Sequence, residues 1–184
     1  MTQRFIFFLL LIVALLIGSF LLWGDFFESL FMEGQYSSNS TPTPESAFFA
    51  ILLIWTDPIL PIPVTVILST IGAAYGFWIG FGIGITGTMG SGILAYGLNR
   101  LIPEHTASWL IGKEGQKQGT ELIKKHGGWA IAFSRWMAIL PEILSGLAGL
   151  LRMPFRIYLI ALLCGTIPMT AAYVWLARIS HSPF

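Results

Sequence analysis

A chain of 184 residues that is 55% hydrophobic and only 10% charged, with a mean hydropathy of +0.75, carries more apolar side chain than a water-soluble core of its size can hide. Lipid has to serve as its solvent, so the fold class to expect is an all-α integral membrane protein. A net charge of +1 gives nucleic acid no basic face to bind, and a single cysteine, Cys164, excludes a disulfide framework and a cysteine-rich metal site. No cofactor and no metal is expected.

Arg4 precedes an apolar run from Phe5 to Trp23, about twenty residues and roughly 30 Å as a helix. Residues 1–24 are read as an N-terminal transmembrane anchor that starts in the cytoplasm. A cleaved signal peptide is the competing reading, but its apolar region is about 7–15 residues long and ends in small residues, where this chain has Trp23-Gly24-Asp25-Phe26. Residues 25–45 form an interfacial segment and an extracytoplasmic linker. Phe26, Phe27, Leu30 and Phe31 alternate with acids, as in an interfacial helix or a solvated loop. Residues 34–45 are polar and free of Lys and Arg. The triplet Asn39-Ser40-Thr41 matters only in a eukaryotic secretory pathway.

The membrane domain is predicted over residues 46–178. Asp57, Pro58, Pro61 and Pro63 interrupt its first apolar stretch, and proline both removes a backbone donor and clashes with the preceding turn. Non-helical backbone at membrane depth needs protein or water around it, so residues 46–75 are expected to form a re-entrant hairpin. Its half-helices, about Ser46 to Thr56 and Val64 to Tyr75, are each too short to cross a bilayer. Helix 76–98 follows. Gly76, Gly80, Gly84 and Gly87 recur at three and four residues, which flattens one helical face for close packing and also lets a helix slide or bend.

Residues 99–127 carry Arg100, Lys113, Lys117, Lys124 and Lys125 against Glu104, Glu114 and Glu121. Positive residues in short loops mark the cytoplasmic side, and the spacing of Glu114, Lys117 and Glu121 suits a solvated surface helix. A second hairpin, 128–151, is broken at Pro141, with Arg152 and Arg156 at its exit. Helix 156–177 ends the domain, and 179–184 is a tail.

The two halves share an order of features. Ile59-Leu60-Pro61 recurs as Ile139-Leu140-Pro141, each followed by a small-residue helix, then a glycine (Gly72, Gly149) and a span closing on Tyr and Arg. With one span between the hairpins, the halves are expected to have opposite orientation. Inverted repeats with broken helices characterise transporters that bind substrate near the midplane.

Charge at that depth costs roughly 2.5–3.5 kcal/mol per residue on insertion scales, yet Asp57, Arg135 and Glu142 are there. Seven positions separate Arg135 from Glu142, so on an unbroken helix they share one face. Arg135 has the planar donor fork for an anionic group such as a lipid phosphate, and Asp57 or Glu142 could bind and release a proton. The alternative is a buried ion pair that only holds the hairpins together.

Phe133-Ser134-Arg135, Pro141-Glu142, Ala148-Gly149 and Met153-Pro154, with the upstream acid and prolines and the Gly-rich span ending at Tyr96 to Arg100, resemble the DedA superfamily of VTT-domain (SNARE-associated-type) membrane proteins across residues 46–178. The resemblance implies two facing re-entrant hairpins, lipid translocation or scrambling, lipid phosphate among the ligands, and dependence on proton motive force; by it, Arg135 is the hairpin arginine. This chain differs in having Pro141 where many bacterial members have a second arginine, and Pro63-Val64-Thr65 where they have Pro-Gly-Glu. The expected partners are membrane lipids and protons, in the plasma (inner) membrane of a bacterium, with homo-oligomerisation left open. Catalysis is not expected: Ser91 follows Met89-Gly90, His105, His126 and His181 all fall in loops or the tail, and no His-Glu-x-x-His occurs. The rival function is a non-transporting scaffold or assembly factor in envelope or membrane homeostasis.

Overall fold

A computed structural model describes residues 43–59, 62–103, 121, 128–137 and 140–181. The predicted anchor, nearly all of the linker, Pro61, most of the basic loop and the end of the tail lie outside the described residues. Within them the fold is all-helical: α1 (Pro44–Thr56), α2 (Val64–Arg100), a helical stretch at 128–134, α3 (Leu140–Leu150) and α4 (Phe155–His181).

Helix α1 begins where local chemistry directs. Thr43 Oγ1 accepts a bond from Ser46 N, Pro44 occupies the first turn where its missing N–H is harmless, and Glu45 faces the positive end of the helix dipole. The helix ends at Asp57, whose carboxylate accepts from Ile62 N at 3.1 Å and so bridges the proline-rich turn. Pro58 lies in that turn, and Pro63 is the N-cap of α2.

α2 is long only by continuity of its hydrogen bonds. Gly76 interrupts it at φ 73° and ψ −179°, a region open in practice to glycine alone. The chain folds back there: Gly80 sits against Ile71 and Gly72, and Gly84 against Leu68. The expectation that Gly76 helps to flatten a packing face is corrected, since a Cβ on it would meet nothing within 4 Å. Its role is the turn. Tyr75 OH donates to Thr43 O at 2.8 Å and is bonded to Ser46 Oγ, so residues 64–75 end where α1 begins. Residues 77–100, roughly 36 Å of helix, then run past both.

In the second half, residues 135–137 form a turn, so the premise that Arg135 and Glu142 share one unbroken helix does not hold. Pro141 lies in the first turn of α3, where it needs no donor. α3 ends in a Schellman closure: Met153 N donates to Ala148 O at 2.9 Å and Arg152 N to Gly149 O at 3.0 Å, with Arg152 at φ 55°. Met153 and Ala148 then join the same buried cluster, the apolar contact that accompanies this motif.

α2 and α4 form the main packed pair and run antiparallel, with Gly84 against Thr170, Gly92 against Leu162, and the Tyr96 and Tyr158 rings stacked at 4.5 Å. α1 lies on α2 through Ile54 at Gly87 and through Trp55 Nε1, which donates to Thr86 O at 3.3 Å. Backbone meets backbone at several glycines: a Cβ on Gly72 would stand 2.6 Å from Val174 O, and those on Gly149 and Gly165 would overlap Tyr96 O and Ala132 O.

The polarity is arranged inside out. Asp57, Thr88, Ser91, Ser134, Arg135, Ser145, Thr166 and Thr170 are buried, while Trp78, Trp129, Leu101, Ile59 and Phe133 are among the most exposed apolar residues. Water would penalise that distribution, and hydrocarbon favours it. Val64–Arg100 and Phe155–Ile179 are long and apolar enough to cross a membrane.

Candidate functional site

The turn after α1 and the turn before α3 face each other across a cavity of about 140 Å³. Asp57 enters it from the end of α1, Arg135 from the end of the 128–134 stretch, and Glu142 from the first turn of α3. The three charged residues singled out in the sequence, up to eighty-five positions apart, thus share one enclosure. Pro63 and Pro141 form part of its wall, along with Thr65, Thr88, Ser91 and Met169.

Arg135 is only 6% exposed. One of its terminal nitrogens donates to Ser145 Oγ at 2.8 Å and rests against Gly92, where a Cβ would stand 2.7 Å away. Its Nε has no hydrogen-bond partner among the described residues. A buried guanidinium N–H left unmade costs more than the average hydrogen bond contributes, and a cation at this depth calls for compensation. Asp57 and Glu142 line the same cavity as Arg135, so two acids and one cation share a small space away from bulk water.

Ser145 and Tyr158 did not stand out in the sequence. Both are fully buried; Tyr158 OH donates to Gly92 O at 2.7 Å, beside the arginine. A serine one helical turn beyond Glu142, inside an otherwise apolar run, was the available signal. Arg100, read in the sequence as one of the loop charges, is exposed but tied to the fold: Nη1 donates to Met153 O at 2.9 Å and bonds Tyr96 OH, which itself donates to Met153 O at 2.5 Å. Gly80, Gly84 and Gly149 all make close contacts, against Ile71, Leu68 with Thr170, and Tyr96 respectively. Among the described residues no group of three His, Cys, Asp or Glu side chains could hold a metal ion.

Apolar outside, charged within, and holding two helices long and apolar enough to cross a bilayer, the molecule is a helical membrane protein. The family model of the VTT domain matches residues 62–178, and the chain belongs to that family, the DedA family. Among curated proteins and solved structures, none matches it.

Proposed function

We propose that the protein moves a lipid or lipid-phosphate head group across the bilayer, through a midplane site between two re-entrant hairpins of opposite orientation, in exchange with protons held by Asp57 and Glu142. The observation that carries this reading is Arg135: a buried cation whose side-chain partner is a serine, with no partner for its Nε and no ion pair to an acid among the described residues. An arginine serving only to lock two hairpins would be expected to close that pair. The site is bordered by two turns, each reached by helices too short to cross hydrocarbon.

Support for the inverted repeat comes from contacts that recur at a fixed displacement. Ile54 on Gly87 becomes Ala132 on Gly165, and Gly84 on Thr170 becomes Leu162 on Gly92, each partner shifted by 78 positions. Gly72 on Val174 becomes Gly149 on Tyr96 with shifts of 77 and 78. Equivalent helices that pack antiparallel are what a two-fold axis in the membrane plane generates. This register differs from the one suggested by the Ile-Leu-Pro repeat: it matches Pro63 with Pro141, and Asp57 with Arg135. On this reading an acid and a base stand at equivalent places on either side of the axis. The family is not known for enzymatic activity and its members are often regarded as transporters. A bacterial inner membrane and a cytoplasmic N-terminus complete the proposal.

Liposomes containing the purified protein are expected to move fluorescent phospholipid between leaflets faster than protein-free liposomes do. Rates equal to those of protein-free liposomes, for phosphate-bearing and phosphate-free lipids alike, would overturn the proposal in favour of a scaffold. In the same liposomes, Asp57→Asn and Glu142→Gln are expected to flatten the response of flux to an imposed pH gradient. An unchanged response in both variants removes the acid pair from proton exchange.

A further inference from the structure

Arg100 and Arg178 stand 78 positions apart, each in the last turns of a long helix, so the recurring contacts make them equivalents. Their surroundings differ. Arg100 is bonded to Met153 O and Tyr96 OH, with its guanidinium carbon 5.4 Å from the Tyr96 ring centroid. Phe155, the residue that leads into α4, lies against the same ring at 5.6 Å and helps to close that end. At the other end Phe77 takes the place of Phe155, but Arg178 makes no comparable bond among the described residues. Instead an open groove of about 450 Å³ lies between the helices, lined by Phe77, Trp78, Ala171, Ala172, Trp175 and Arg178.

We propose that this groove binds one membrane phospholipid, with its phosphate on Arg178 and the upper part of an acyl chain between Trp78 and Trp175. Ala171, Trp175 and Arg178 are spaced four and three apart and share one face of α4, so the cation caps an apolar floor. Trp78 is 79% exposed and Trp175 55% exposed; indole rings of this kind sit at head-group level. A guanidinium without an acceptor among the described residues, at the end of an apolar trough, matches a molecule that joins a phosphate to a hydrocarbon tail. The volume falls within the range of about 300–1,000 Å³ of small-ligand sites. The site is separate from the central cavity and stands or falls without it.

The test is retention of phosphatidylglycerol by the full-length protein. Vesicles of phosphate-free galactolipid with a minor share of phosphatidylglycerol supply the lipid, and native mass spectrometry after mild detergent extraction counts what stays bound. The wild-type chain is expected to keep phosphatidylglycerol in preference to galactolipid, Arg178→Gln to weaken retention about tenfold, as loss of a charge-assisted bond predicts, and Trp175→Ala to weaken it in the same direction. Arg156→Gln, which removes an exposed arginine near the start of α4 that lines neither the groove nor the central cavity, is expected to leave retention unchanged. Equal retention by wild type and Arg178→Gln would overturn the proposal, as would equal retention of galactolipid. So would a wild-type dimer without bound lipid that Arg178→Gln converts to a monomer, since the occupant would then be a second copy.

Discussion

Gly149→Ala is expected to destabilise the folded protein by at least about 3 kcal/mol, at the upper end of what overpacking costs in a close-packed interior. The added methyl would overlap Tyr96 O and stand 3.0 Å from the Tyr96 carbonyl carbon and 3.1 Å from Arg100 N, all of them backbone atoms that no rotamer change can move. α3 and α2 would have to part, and parting them strains the bonds by which Tyr96 OH and Arg100 hold Met153 O. Gly72→Ala should act in the same direction through Val174 O and Val174 Cα, at 2.6 and 2.9 Å. Gly82→Ala and Gly97→Ala are the contrast: their new methyls meet nothing within 4 Å, and alanine is the better helix former by about 1 kcal/mol. Thermal unfolding in detergent of the four variants measures the difference. Equal melting of Gly149→Ala and Gly82→Ala would contradict the packing described.

These four glycines also mark the limit of what the sequence disclosed. Asp57, Pro58, Pro61, Pro63, Arg135 and Glu142 were legible because each breaks a local rule: proline in a helix, or charge in an apolar run. Their effects follow from covalent structure and solvation, so the chain announces them without a fold. The helix boundaries near residues 56 and 64 were legible for the same reason, and the structure ends one helix at Thr56 and begins the next at Val64. The glycines were not separable in this way. Gly76 supplies a backbone turn, Gly72 and Gly149 admit another backbone, and Gly82 does neither, yet all are the same letter at similar spacings. Only the partner helix distinguishes them.

The site shows the same division. The three charged residues were visible, but Ser145 and Tyr158 were not, because hydroxyls are inexpensive in an apolar run and carry no signal until something charged is seen to need them. Arg100 looked like a loop charge beside Glu104. Its anchoring depends on Tyr96, one helical turn earlier, and on Met153 O, a backbone atom fifty-three positions away that no reading of side chains includes. The tripeptide Ile-Leu-Pro likewise pointed to a repeat but to another register, because contacts fix equivalence where a short match cannot.

Replacement of the buried guanidinium is the second large effect. Arg135→Ala leaves a void beside Gly92 and frees Ser145 Oγ, and it removes the only cation in the wall of the central cavity among the residues that line it. If a phosphate group passes this point, its charge has to be met there, since hydrocarbon offers no alternative and water is scarce. Arg135→Lys keeps the charge but replaces a fork of donors by a single ammonium, so intermediate flux is expected from it. Folding is monitored apart from transport, by melting and by elution as a single species in detergent.

The most direct measurement is therefore the rate at which a fluorescent phosphate-headed lipid crosses the bilayer of liposomes holding wild-type, Arg135→Lys or Arg135→Ala protein at equal density. The proposed mechanism predicts a fast wild type, a slower lysine variant and, for folded Arg135→Ala, the rate of protein-free liposomes. Folded Arg135→Ala moving the lipid as fast as wild type would contradict it.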